Sequence, residues 1–225
     1  MSIQLAVYVA IWIFGKAALM KTLAILAQKG GSGKTTLAVH MAVCATRRKL
    51  RTALIDLDPQ GSAYDWNASR EDSRKLDAVK ASSGQLAALL QQANTAKADL
   101  AIIDTAPHSD SAAAIVAQLA DFILIPCRPA RFDLKAIGST AAIAKLAKTH
   151  AAVVINAAPR GKLAQEASDA LEQQGFTVLK TVLHQRAAYS HAVIDGRSVH
   201  EYEPDGKAAG EIDALFACVR RSLKI

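Results

Sequence analysis

A glycine-rich segment, Gln28-Lys29-Gly30-Gly31-Ser32-Gly33-Lys34-Thr35-Thr36, stands between a short apolar run and a stretch of helical periodicity. Few folds admit that arrangement. The run before it, Thr22 to Ala27, reads as a buried strand. The stretch after it, Lys34 to Arg48, places Leu37, Met41 and Cys44 on one helical face. Glycines let a backbone wrap closely around an anion without Cβ clashes. At a helix N-terminus such a loop also turns its N–H groups toward one point, where phosphate binds. The Gly-Lys-Thr core matches the P-loop, in which Lys34 reaches the β- and γ-phosphates and the Thr35 hydroxyl ligates Mg²⁺. Thr36 then helps to hold the α-phosphate. The commoner spacing has a glycine where Gln28 stands, and Lys29 is an additional cation, so this is the KGGxGKT[ST] form.

From Lys21 onward the pattern alternates. Strands are expected at Thr52 to Leu57, Leu100 to Asp104, Phe122 to Pro126, Ala151 to Asn156 and Phe176 to Leu183. Helices are expected at Gly84 to Ala96, Ser111 to Ala120, Asp133 to Lys148, Leu163 to Gln174, Ala187 to Asp195 and Gly210 to Leu223. Strands apolar throughout, separated by amphipathic helices, imply a parallel sheet covered on both faces. The expected fold is one doubly wound α/β domain over residues 20–225, its single sheet mostly parallel. Ligands of such a domain lie at the carboxyl ends of the strands.

Polar residues fall at those ends. Asp56 and Asp58 close the second strand, and Asp104 closes Leu100 to Asp104. An acid directly after an apolar strand suits Mg²⁺, held directly or through water. A strand-end aspartate that braces its own loop is the alternative for each. Asn156 ends its strand too, and its amide offers both a donor and an acceptor. The following turn gives Asn156 a second reading as a turn residue.

The chain has 225 residues, is 51% hydrophobic and carries 27 Lys+Arg against 20 Asp+Glu, for a net charge of +7. It has enough apolar residues for a sizeable core, and its basic surplus favours polyanionic partners. Cys44, Cys127 and Cys218 are widely spaced among apolar neighbours and show no zinc spacing, which implies reduced cysteines in a cytosolic core. Residues 1–19 hold an apolar run, Ile3 to Phe14, too short for a spanning helix and without a basic start. Met20 as the true start is the preferred reading. A packed extension and a membrane-touching anchor are the alternatives.

Five stretches resemble the ParA/MinD family of deviant Walker A ATPases. They are QKGGSGKTT at 28–36, LIDLDPQGSA at 54–63, IIDTAP at 102–107, DFILIPCRPARFDLKA at 121–136, and HQRAAYSHAVIDGRSVHEYEPDGKAAGEI at 184–212. The last resembles the small plasmid-partition ParA branch, which is ParF-like. The resemblance implies a P-loop NTPase fold, weak ATP hydrolysis and a homodimer formed on Mg-ATP. By it, Lys29 reaches the partner's phosphates, Lys34 and Asp58 serve hydrolysis, and Gly30, Gly31, Ser32, Gly33, Lys34, Thr35 and Thr36 cradle the nucleotide. Thr35, Asp56 and Asp104 lie around the metal, Asn156 reads adenine, and Thr105-Ala106-Pro107 senses the γ-phosphate. His108 departs from the small residue expected next; facing solvent is the preferred reading and a contact to a partner the alternative. The resemblance further implies non-specific DNA binding, for which Arg220, Arg221 and Lys224 are the candidates. It implies a ParB/ParG-like adaptor and a cytoplasmic, nucleoid-associated protein that segregates plasmid or chromosome DNA. Alternatives within the family are a MinD-like membrane-associated role, which would need an amphipathic tail not seen before Ile225, and the positioning of a protein cargo such as a chemoreceptor cluster or carboxysome-like body.

Overall fold

The computed structural model describes residues 20–107 and 110–225. Among the described residues seven strands form one sheet: β1 (Lys21–Ile25), β2 (Thr52–Asp56), β3 (Asp77–Lys80), β4 (Leu100–Asp104), β5 (Phe122–Cys127), β6 (His150–Ala158) and β7 (Val178–His184). The order is β3-β2-β4-β1-β5-β6-β7, and every pairing is parallel. The chain moves outward from β1 to one edge, returns to place β4 beside β1, and then builds the other edge from β5. The loop after β1 therefore emerges where the winding changes direction, the place at which open α/β sheets bind ligands.

Nine helices accompany the strands among the described residues: α1 (Lys34–Arg47), α2 (Ser62–Ala68), α3 (Leu86–Thr95), α4 (Asp110–Leu119), α5 (Arg131–Leu146) and α6 (Leu163–Gln173) connect them, and α7 (Ala187–Ile194), α8 (Val199–Tyr202) and α9 (Lys207–Leu223) follow β7. Alternate residues of β1 serve opposite faces. Leu23 and Ile25 join a core with Leu37 and Met41 of α1 and Ile212, Phe216 and Val219 of α9. Ala24 joins a second core with Val116 of α4, Ile137 of α5 and Leu171 of α6. With both faces covered, the central strands carry no solvent-facing polar row, which is why they read as unbroken apolar runs.

The expected elements are present, and three more were not anticipated. The strand β3 is four residues long with charged ends and pairs only with β2, the habit of a protected edge strand. The helices α2 and α8 are seven and four residues long, too short for periodicity to register. Several boundaries also move; β6, for one, begins at His150 and runs past Asn156 to Ala158. The helix α5 runs Arg131–Leu146 rather than to Lys148, because Lys148 takes a left-handed φ of 57°. The helix α9 begins at Lys207, three residues before Gly210, which it tolerates inside its first turn. Among the described residues no helix is long and apolar enough to cross a membrane. The expectations for residues 1–19 and for His108 lie outside the described residues.

Candidate active site

The glycine-rich loop bends where its sequence allows. Gly31 and Gly33 have φ of 73° and 95°, values that a side chain strains. A Cβ at Gly33 would also lie 2.3 Å from Asn156 Nδ2. That nitrogen donates to the Ser32 carbonyl at 2.7 Å, so the end of β6 pins the loop. Gly33 is the N-cap of α1, and no side chain caps the helix. The first-turn N–H groups of α1 thus lack a side-chain acceptor and are oriented for an anion.

Lys34 is only 6% exposed, and its Nζ donates to the Lys29 carbonyl at 3.3 Å. Burial pushes its ammonium below the usual lysine range, while Asp104 and Asp58 pull it back up. A cation held so, short of partners in a half-dry loop, favours an arriving phosphate. Lys29 is half-buried.

Three strand ends lie in register beside the loop, with Asp104 paired to Ile25 on one side and Asp56 on the other. The Thr35 hydroxyl donates to Asp104 Oδ2 at 2.7 Å. Asp104 is fully buried, and its other oxygen has no hydrogen-bond partner among the described residues. Burial lifts its carboxyl to about 7; the Thr35 bond and Lys34 oppose that rise, while Asp56 and Asp58 add to it. A buried carboxylate with one unpartnered oxygen beside a hydroxyl is a donor set that a hard divalent cation would satisfy. Thr35 and Asp104 are the residues that fit Mg²⁺.

Asp56 is committed differently. One of its oxygens accepts from the Asp58 N–H at 3.0 Å, and the other from the Ala63 and Tyr64 N–H groups at 2.9 and 3.0 Å. It therefore caps α2, whose own N-cap, Gly61, has no side chain to offer. Its place near a cation is that of a braced charge rather than an open ligand oxygen. Asp58 is half-exposed, accepts from the Gln60 N–H at 2.9 Å, and faces the loop.

Two cavities adjoin here. One, of about 410 Å³, is lined by Gly30, Lys34, Thr35, Asp58 and Pro107. The other, of about 470 Å³, is lined by Asn156, His184, Arg186, Tyr189 and Ile194. Gly33, Thr36 and Arg128 border both. A charged chamber sharing a border with a larger one, whose walls mix apolar, amide and basic groups, suits a polyphosphate carrying a ring system. Arg128 was not foreseen as a site residue. Its signal is a basic side chain immediately after β5, on the ligand edge of the sheet.

Other candidates lie elsewhere. Glu211 contacts the end of β7 at His184, whereas Cys218 is 3.6 Å from Thr181 in its middle, so α9 runs antiparallel to that strand. Arg220, Arg221 and Lys224 therefore lie toward the end opposite the phosphate loop. The Arg220 Nε already donates to the Ile225 carbonyl, whereas Arg221 and Lys224 are exposed. The Thr105 hydroxyl is turned inward to the Ile25 carbonyl at 2.8 Å. Cys44 and Cys127 are buried and Cys218 is partly so; none of the three forms a disulfide among the described residues. Cys44 is less apolar in company than its sequence neighbours suggested: its thiol lies with His200 and Asp213, and the Arg48 guanidinium bridges thiol and carboxylate at 2.8 Å each. Arg48 already supplies that cluster's positive charge.

The all-parallel sheet, the loop at its winding switch and the paired Thr35 and Asp104 define a P-loop nucleotide-binding domain. The sequence model of the CobQ/CobB/MinD/ParA nucleotide binding domain matches residues 23–199, and the chain belongs to that family. It is 34% identical over 209 residues to the maintenance of carboxysome distribution protein A of Halothiobacillus neapolitanus, covering 87% of this chain and 94% of that protein. The fold is similar to that of the Cyanothece McdA(D38A)-ATP complex, with a TM-score of 0.74, 18% identity, and coverage of 92% of this chain and 98% of that one. It is similar also to the septum site-determining protein MinD of Pyrococcus horikoshii complexed with Mg-ADP, with a TM-score of 0.73, 15% identity, and coverage of 92% and 100%.

Proposed function

We propose that this protein is an ATP-hydrolysing positioning switch that dimerises on Mg-ATP and holds DNA non-specifically until an adaptor triggers turnover. The observation that carries this reading is the pair of chambers joined at Gly33, Thr36 and Arg128, with Thr35 and Asp104 at the floor of the smaller one. The loop amides and Lys34 bind the phosphates. Asp58, on the chamber wall, orients the attacking water, and Asp56 keeps the turn that carries Asp58 rigid. Bound Mg²⁺ would neutralise phosphate charge at Thr35 and Asp104. Asn156 meets the base edge with the amide oxygen left over from its bond to the loop. Lys29 acts in trans, so that nucleotide energy becomes dimerisation energy. A site that positions groups without covalent chemistry fits slow hydrolysis.

On this reading the protein works in the cytoplasm on nucleoid DNA, through exposed cations at the far end of α9 that include Arg221 and Lys224. The relative named for carboxysome distribution matches along almost its whole length, which favours a protein body as cargo over plasmid or chromosome segregation through a ParB/ParG-like adaptor. The experiment is nucleotide binding, sedimentation and DNA binding of three chains. Lys34→Ala is expected to lose ATP. Lys29→Ala is expected to keep ATP but remain monomeric and leave DNA. Wild-type affinity for DNA is expected to fall steeply with salt. Unchanged ATP binding by Lys34→Ala would overturn the site, and nucleotide-independent DNA binding would overturn the switch. Co-flotation of the 20–225 chain with anionic vesicles would favour the membrane role instead.

A further inference from the structure

The wall of the larger cavity is not held by its own strand or helix. His184 closes β7, Arg186 precedes α7, and Tyr189 lies in the first turn of α7; all three face the cavity. One carboxylate behind them, Glu211 of α9, receives every one. Its Oε1 accepts from Arg186 Nε at 3.0 Å and lies 2.8 Å from His184 Nδ1. Its Oε2 accepts from the His184 N–H and the Tyr189 hydroxyl, both at 3.2 Å. The Glu211 side chain is only 13% exposed. Burial pushes its carboxyl up, but the Arg186 and His184 bonds hold it below the usual range, so it stays ionised. The turn is tied on its other side by the Gln185 N–H to the Ala158 carbonyl, two residues beyond Asn156.

We propose that Glu211 is a positioning residue for the nucleoside end of the bound nucleotide, a role resting on the nucleotide reading above. It touches no ligand. It fixes three wall side chains from two elements in one arrangement before the ligand arrives, so their ordering cost is met in folding rather than in binding. Without it, Arg186 loses its charge partner, Tyr189 keeps only the Ala208 carbonyl at 3.3 Å, and the turn loses one of its two tethers. The phosphate chamber has no contact with this carboxylate. Removing Glu211 therefore weakens the hold on the nucleoside and spares the hold on the phosphates.

The test compares ATP with inorganic tripolyphosphate, which can fill only the phosphate chamber. Dissociation constants are measured by calorimetry for wild type, Glu211→Gln, Glu211→Ala and Arg186→Ala. Glu211→Ala is expected to weaken ATP about tenfold, the scale of one charge-assisted contact network, with tripolyphosphate unchanged. Glu211→Gln keeps acceptor capacity and falls between. The double variant with Arg186→Ala is expected to lose less than the two single losses combined, since both break one link. Turnover at saturating ATP stays near wild type while KM rises. Equal ATP affinity in wild type and both Glu211 variants overturns the proposal. So does parallel loss of ATP and tripolyphosphate, which marks a general structural role. If Glu211→Ala does not fold, Glu211→Gln and Arg186→Ala decide it. Failure of the underlying reading looks different: wild type itself then shows no preference for ATP over tripolyphosphate.

Discussion

Asn156 occupies the space that a side chain at Gly33 would need: a Cβ there falls 2.3 Å from its Nδ2, which meanwhile holds the Ser32 carbonyl. Loop and strand end are thus fitted to one another across 124 residues of sequence. Gly33→Ala must strain a φ of 95° and push out the asparagine. The expected cost is about 1–3 kcal/mol from backbone strain alone, and the loop opens. Thermal unfolding should register the loss, and ATP affinity should fall at least tenfold, about 1.4 kcal/mol. Asn156→Ala relieves the clash, so the double variant is expected to recover part of the stability. A Gly33→Ala chain as stable as wild type would show that this fit is not required.

Thr35 and Asp104 should act as one unit. Thr35→Ala removes the only hydrogen bond that the Asp104 carboxylate makes among the described residues and leaves it buried. An uncompensated buried carboxylate takes up a proton rather than stay charged. ATP binding by Thr35→Ala is therefore expected to become insensitive to Mg²⁺, while wild type binds more tightly with the ion than with chelator. Titrations with and without Mg²⁺ check this. An undiminished Mg²⁺ effect in Thr35→Ala would place the ion elsewhere.

Arg128 borders both cavities and is exposed, so its removal separates binding from folding. Arg128→Ala is expected to leave the melting temperature near wild type, since exposed substitutions shift stability by about 0.5 kcal/mol or less. Affinity for ATP is expected to fall several-fold, and Arg128→Lys to restore little of it if the planar guanidinium is what fits. Calorimetry on folded protein gives both numbers.

The sheet and the loop were legible because their constraints are local. Apolar runs ending in Asp56 and Asp104 mark strands and their ligand edge directly, and Asn156 lies two residues short of the end of its strand. What the sequence hid depends on partners far along the chain. The role of Asp56 was ambiguous until α2 appeared at Ser62, because a carboxylate that caps a helix seven residues on looks the same in sequence as a metal ligand. Arg128 lacked a motif of its own. His184, Tyr189 and Glu211 converge only because α9 runs back along β7, a packing result that no spacing rule encodes. Arg220, by contrast, looked like a free surface cation, and the chain end claims it.

His40 gives a prediction about stability rather than binding. It lies on α1, is fully buried, and accepts the Val199 N–H at its Nδ1 at 3.3 Å, joining the P-loop helix to α8. Burial above all, and then the neighbouring His200, lowers its pKa to about 3. The unfolded chain takes up that proton near pH 6.5, whereas the folded chain refuses it until about 3. Its contribution is thus fully present above about 6.5 and is lost as pH falls through the interval below. Between pH 7 and 5 the loss amounts to about 2 kcal/mol. Asp104 drifts the other way over the same range, because its raised carboxyl binds a proton on folding and stabilises the acid side. A wild-type profile alone can therefore look flat. Comparison with His40→Asn, which keeps an acceptor for Val199 and has no proton to gain, removes the Asp104 contribution common to both chains. The stability difference, wild type minus His40→Asn, is expected to shrink by about 2 kcal/mol from pH 7 to 5 in urea denaturation. A difference that stays constant with pH would mean that water reaches the imidazole and the helix contact tolerates its charge.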